Sequence, residues 1–258
     1  MEKETADIII FGGQSNMVGQ TEGLPQDNPV IENAYEYRYD KNALIPLKHP
    51  TGEELFWGAL GGSVDGCGSL LPAFCRAYAE NTGRKVVAVG AARGATTIAE
   101  WLHGTQRHYW ASKKIAAAIQ KTEETFTIGK IFYVWLQGES DALIQTSEAE
   151  YLQKLIQYKN ELKAEHGIDR FGIIKVGYFA SVAGIPGDKE EQTGWDEEIM
   201  RAQEKAVSAD PDFMMLTRLC PAFSKDERRI NPHVGGHYNN EALDLIGKAA
   251  GTELSRAV

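Results

Sequence analysis

Apolar residues fall along this chain in short unbroken runs: ADIIIF at 6–11, KVVAVGA at 85–91, KIFYVWL at 130–136, FGIIKVGYF at 171–179 and FMMLT at 213–217. Runs of this length, rich in β-branched side chains and without polar alternation, suit strands covered on both faces. Between and after them, apolar positions recur at helical spacing over 69–83, 109–125, 147–167, 194–210 and 239–257. The first of these segments stops at Gly83, which takes the left-handed conformation that ends a helix at no steric cost. Strand and helix therefore alternate, which predicts an α/β fold. The expectation is a single domain over 1–258, with a three-layer α/β/α arrangement around a mainly parallel sheet of about five strands. Residues 20–66 lack periodicity and are rich in Gly, Pro and Asn. They read as a long excursion over the active face, because loops of that length are usually functional. No linker, repeat or low-complexity segment interrupts the pattern.

Composition narrows the class without naming a chemistry. A chain of 258 residues with 43% hydrophobic and 24% charged residues is an ordinary soluble globular protein with room for one large core. Its 27 basic and 36 acidic residues leave a net charge of −9, which argues against a nucleic-acid or anionic-membrane surface. No apolar run is long enough to span a bilayer. The N-terminal stretch MEKETADIII has no basic region followed by a long apolar segment. Cys67, Cys75 and Cys220 are an odd number and form no disulfide framework, which favours a reducing compartment. The expected location is cytoplasmic as the sequence stands, or secreted where a leader has been trimmed away. The oligomeric state is open.

In an open α/β sheet, ligands bind beyond the carboxyl ends of the strands, and four stretches follow such ends. The first, FGGQSNMVGQ at 11–20, centres on Ser15. It lacks the Gly-x-Ser-x-Gly of a nucleophile elbow and the Gly-Lys-Ser/Thr of a phosphate loop, so Ser15 is a nucleophile or a helix cap. The second, GAARGATTIAEW at 90–101, has no complete nucleotide fingerprint; Gly94 permits a tight turn or a close backbone approach to a ligand. In the third, WLQGESDA at 135–142, a buried strand runs into Gln137, Gly138, Glu139, Ser140 and Asp141. Polar groups at such an edge must be hydrogen-bonded or solvated, and the Gln137 amide is the kind of donor that stabilises an oxyanion. The last, NPHVGGHYNNEALDLIG at 231–247, places His233 and His237 in a glycine-containing loop before the final helix. Two glycines between the histidines, and no acidic or Cys partner at ligand spacing, speak against a metal there, so none is expected. Trp57, Tyr109, Trp110 and Trp101 fall on or near these loops, as sugar-stacking faces or as core.

Together the four blocks resemble those of the SGNH hydrolase superfamily, in particular the branch of acetylxylan esterases and sialate O-acetylesterases. Gly13-Gln14-Ser15-Asn16-Met17 matches the first block, and Gly94-Ala95-Thr96-Thr97-Ile98 with Trp101 the second. Trp135 to Asp141 matches the third without a change, and His237-Tyr238-Asn239 with Gly247 the last. The likeness spans almost the whole chain and keeps block order. It implies the SGNH fold, which is flavodoxin-like, and a serine esterase needing no cofactor, acting on an acetylated oligosaccharide or a small acetyl ester. It further implies that Ser15 is the nucleophile and His237 its base, with an oxyanion hole from the N–H groups of Ser15 and Gly94 and the Gln137 amide. Gln14, Asn16 and Trp101 are the expected substrate contacts. The family's last block carries an Asp three residues before its His, and here that place is Val234. Glu139, or Asp226 and Glu227 in the same loop, are the candidates for the missing acid. Two other readings follow: a silent glycan-binding protein on the same fold, and a short-chain acyl esterase acting on other esters.

Overall fold

A computed structural model describes residues 3–63 and 66–258. The start of the N-terminal stretch and Val64-Asp65 within the 20–66 excursion lie outside the described residues. The apolar runs form parallel strands as expected: β1 (Thr5–Gly13), β4 (Lys85–Ala92), β5 (Thr127–Leu136), β6 (Arg170–Ile174) and β7 (Phe213–Thr217). Two further strands make the sheet seven-stranded. β2 (Ala34–Arg38) and β3 (Ala43–Pro46) form an antiparallel hairpin, giving the order β3-β2-β4-β1-β5-β6-β7. This corrects the count of about five and the reading of 20–66 as loop throughout. The hairpin escapes an apolar-run criterion because β2 buries Glu36, which accepts a hydrogen bond from the backbone N–H of Gly52.

Successive β1 side chains point to opposite faces, and each face has its own core. Ile8 and Ile10 pack beneath α3 (Gln106–Thr125), α5 (Glu148–His166) and α6 (Lys189–Ala209). Ile9 and Phe11 pack beneath α2 (Leu71–Thr82) and α8 (Asn240–Leu254). The remaining helices are the single turns α1 (Ser15–Val18), α4 (Glu139–Leu143) and α7 (Cys220–Phe223). Burial on both faces is what the unbroken apolar runs encode.

Helix starts follow their caps more closely than the apolar pattern. Thr105 and Asp188 accept hydrogen bonds from first-turn N–H groups, so α3 and α6 begin a few residues before their first apolar repeat. The run at 171–179 leaves the sheet after Ile174. There Gln203 takes the N–H of Val176, and Asp196 takes those of Phe179 and Ala180. Gly247 and Gly251 let α8 lie against α2: a Cβ at either place would stand 2.5 or 2.2 Å from the backbone oxygen of Leu70 or Phe74.

The topology brings β1, β4 and β5 side by side at the centre, with their carboxyl ends at one edge. The chain turns outward in opposite directions from β1. That is the crevice where this architecture binds ligands.

Candidate active site

β1 ends at Gly13, and the N–H of Gln14 bonds the Leu136 carbonyl at 3.1 Å, fixing the first block to the end of β5. The single turn α1 then starts at Ser15. The Ser15 N–H has no partner among the described residues, as the open end of a helix leaves it. Arg93 N donates to Gly13 O at 2.9 Å, which docks the second block beside the first. The Gly94 backbone lies against Ser15, since a Cβ there would be 3.5 Å from Ser15 Cβ. Ala95 is held at φ 56°, a strained value for a non-glycine residue, and the Gly94 N–H is likewise unpartnered among the described residues.

His237 meets Ser15 across 222 positions of chain: Nε2 lies 2.8 Å from Ser15 Oγ, and Nδ1 lies 3.0 Å from the Gly235 carbonyl oxygen. A carbonyl only accepts, so Nδ1 carries the proton and the lone pair of Nε2 faces the hydroxyl. Burial pushes the imidazole below its usual pKa, against the raising effect of the Gly235 and Val234 backbone contacts, which favours the neutral form. The loop carrying it is tied to the Ser15 turn. Asn231 Nδ2 donates to Gln20 O at 2.7 Å, and Tyr238 N donates to Asn16 Oδ1 at 3.3 Å.

Ser15 and His237 open onto a cavity of about 730 Å³, whose lining includes Gln14, Arg93, Gly94 and Ser140. Four expectations need correction against it. Gln137 is fully buried behind the cavity, and its Nε2 donates to Asp141 Oδ2 at 2.6 Å and Thr96 O at 2.8 Å. Both amide hydrogens are spent, so Gln137 has none left for an oxyanion. Glu139 does not orient His237; it accepts from Asn16 Nδ2 at 2.8 Å, and burial raises its pKa to about 7. Asn16 is 2% exposed and ties Glu139 to the His237 loop, away from any substrate. Trp101 is fully buried edge-on to Trp135, with Nε1 donating to Thr96 Oγ1. Trp57, Tyr109 and Trp110 do not line the cavity either, whose aromatic face is Phe179. Of the other acid candidates, Asp226 caps the turn at 227–229 and pairs with Arg228.

Arg93, Glu54 and Ser140 are among the lining residues to which the sequence assigns no part. Arg93 donates to Glu54 Oε2 at 3.1 Å, and Ser140 stands at the mouth of the third block. Glu54 belongs to the 20–66 excursion, which does reach the active face. Ser140 lies in the third block, whose polarity is the signal the sequence carries for it.

A family model described as carbohydrate esterase, sialic acid-specific acetylesterase, matches residues 5–217. The chain belongs to this carbohydrate esterase family. The esterase is similar in structure to a protein from Arabidopsis thaliana, with TM-score 0.67 and 15% identity over 97% of this chain and 98% of that one. It is similar to NanS, with TM-score 0.63 and 13% identity over 100% and 98%. A carbohydrate acetylesterase from Xanthomonas citri superposes with TM-score 0.53 and 15% identity, over 99% of this chain and 57% of that one. Identities this low speak for the shared fold. No curated protein sequence matches the esterase. The family match stops before His237, so in this esterase the imidazole is located by geometry.

Proposed function

We propose that this esterase removes O-acetyl groups from carbohydrate through an acetyl-Ser15 intermediate, with an O-acetylated sialic acid as its substrate. The observation that carries the reading is the 2.8 Å contact between a neutral Nε2 of His237 and Ser15 Oγ, with Nδ1 held by a carbonyl. Ser15 Oγ attacks the acetyl carbonyl carbon while Nε2 takes the hydroxyl proton. The negative charge forming on the carbonyl oxygen meets the free N–H groups of Ser15 and Gly94. Gln14 supplies the side-chain amide: its Oε1 accepts from Ser140 N, and its Nε2 has no partner among the described residues. Donors fixed before the charge appears are worth about 3 kcal/mol each in the transition state. Collapse of the tetrahedral species expels the sugar oxygen, which takes the proton from His237. Water, deprotonated by the same imidazole, then releases acetate and restores Ser15.

Arg93 is the one cationic side chain among the described residues lining the cavity. A sugar carboxylate arriving there exchanges places with the partly exposed Glu54, which supports an acidic sugar over neutral xylan. The test measures acetate release from O-acetylated sialic acids, acetylated xylo-oligosaccharides and p-nitrophenyl acetate and octanoate. Sialic acid esters should be turned over fastest, a serine-directed phosphonate should label Ser15, and Ser15→Ala should abolish both. Turnover retained by Ser15→Ala ends the reading; a preference for xylan or octanoate ends its substrate part.

A further inference from the structure

Away from the cavity, a second polar cluster joins three elements on the α3/α5 side of the sheet. His103 stands in the turn before α3, His108 in the first turn of α3, and Glu165 near the end of α5. His108 Nδ1 lies 3.0 Å from the Trp101 carbonyl oxygen, so that nitrogen carries the proton. Its Nε2 then presents a lone pair to both Glu165 oxygens, each 2.9 Å away. His103 Nδ1 approaches the same carboxylate, 3.1 Å from Oε1. The lone pair of His108 Nε2, a ring nitrogen of His103 and a carboxylate thus converge, and a cation between them reconciles the three.

We propose that His103, His108 and Glu165 bind a divalent transition-metal ion of the zinc class, which clasps the 102–105 turn to the end of α5. The three ligand atoms lie within 4.8 Å of one another. Tetrahedral zinc needs ligands roughly 3.3 Å apart, so the two nitrogen–carboxylate contacts of 2.9 and 3.1 Å open slightly while the two imidazole nitrogens close on the ion. The supporting contacts are those that metal ligands need. A backbone carbonyl fixes the His108 tautomer, and Ser112 Oγ donates to Glu165 Oε2 at 3.0 Å. The chemistry of the set, two imidazole nitrogens and one carboxylate, suits zinc better than calcium or magnesium. The ligands border a groove of about 810 Å³, which leaves the fourth position to water. Lys113 also borders it, with its ammonium directed over the Tyr109 ring.

The alternative is a plain imidazolium–carboxylate pair, and the two separate in one experiment. Full-length protein stripped with chelator is titrated calorimetrically with Zn²⁺, and with Co²⁺ followed by its visible absorption. One Zn²⁺ per chain should bind, with tetrahedral cobalt bands, and both His103→Ala and Glu165→Gln should weaken binding about 100-fold. His103 is largely exposed, so its variant keeps the test valid even where changes at the buried His108 unfold the protein. Absence of stoichiometric binding overturns the proposal, and so does binding that survives in both variants. The proposal is independent of the esterase reading, and acetate release by His103→Ala should stay within about twofold of wild type.

Discussion

Two histidines in this molecule hold the same tautomer by the same means. His237 and His108 each have Nδ1 3.0 Å from a backbone carbonyl oxygen, and each therefore offers a lone pair at Nε2. Across from His237 stands a hydroxyl that can give up a proton; across from His108 stands a carboxylate that cannot. The first pairing suits the base we propose, the second the cation site we propose. What the comparison teaches is that tautomer sets only the availability of the lone pair, while the group facing it sets the chemistry.

Removing each imidazole breaks the comparison at its widest point. His237→Ala should lower kcat for acetate release by about 10⁴-fold or more, because no other side chain among the described residues bonds the Ser15 hydroxyl. A variant within tenfold of wild type in steady-state kinetics would separate His237 from proton transfer.

The next effect concerns the two glutamines behind the nucleophile. Gln14→Ala should cost about 100-fold in kcat with little change in melting temperature. Gln137→Ala should act chiefly on stability, since it removes the amide that the buried Asp141 carboxylate and Thr96 O accept from. Kinetics and thermal melts on both variants check this, and the reverse pattern would return the oxyanion role to Gln137.

The smallest effect is in the pH profile. A carboxylate facing Nδ1 would raise the pKa of His237, whereas burial with only carbonyl support lowers it. The neutral base persists above its own pKa, so the acid limb of kcat/KM should have its midpoint below 6.5. Val234→Asp, which restores an acid three residues before His237, should move that midpoint upward. A wild-type midpoint above 6.5 would point to a carboxylate partner that the carbonyl contact excludes.

Much of this arrangement was legible in the order of residues, and what was not has identifiable causes. Unbroken apolar runs marked the five strands with both faces covered, and the rule that ligands bind at strand ends led to Ser15, Gly94 and the His237 loop. The β2–β3 hairpin was hidden because Glu36 stands where an apolar side chain would signal burial. Gln137 was located at the right strand end, yet the side to which an amide turns depends on Asp141 and Thr96 O, partners that only the folded chain supplies. The same holds for Trp101, whose place in a block says nothing of its facing the core. The cluster at Glu165 joins a turn and two helices, with no spacing along the chain to mark it.

Ser15 and the Gly94 turn are seated at the ends of the buried central strands, while the imidazole arrives on a connecting segment stitched to them by Asn231 and Asn16. On warming, those few stitches yield before the sheet does. Acetate release should therefore cease in a protein that is still folded, and cooling should restore it.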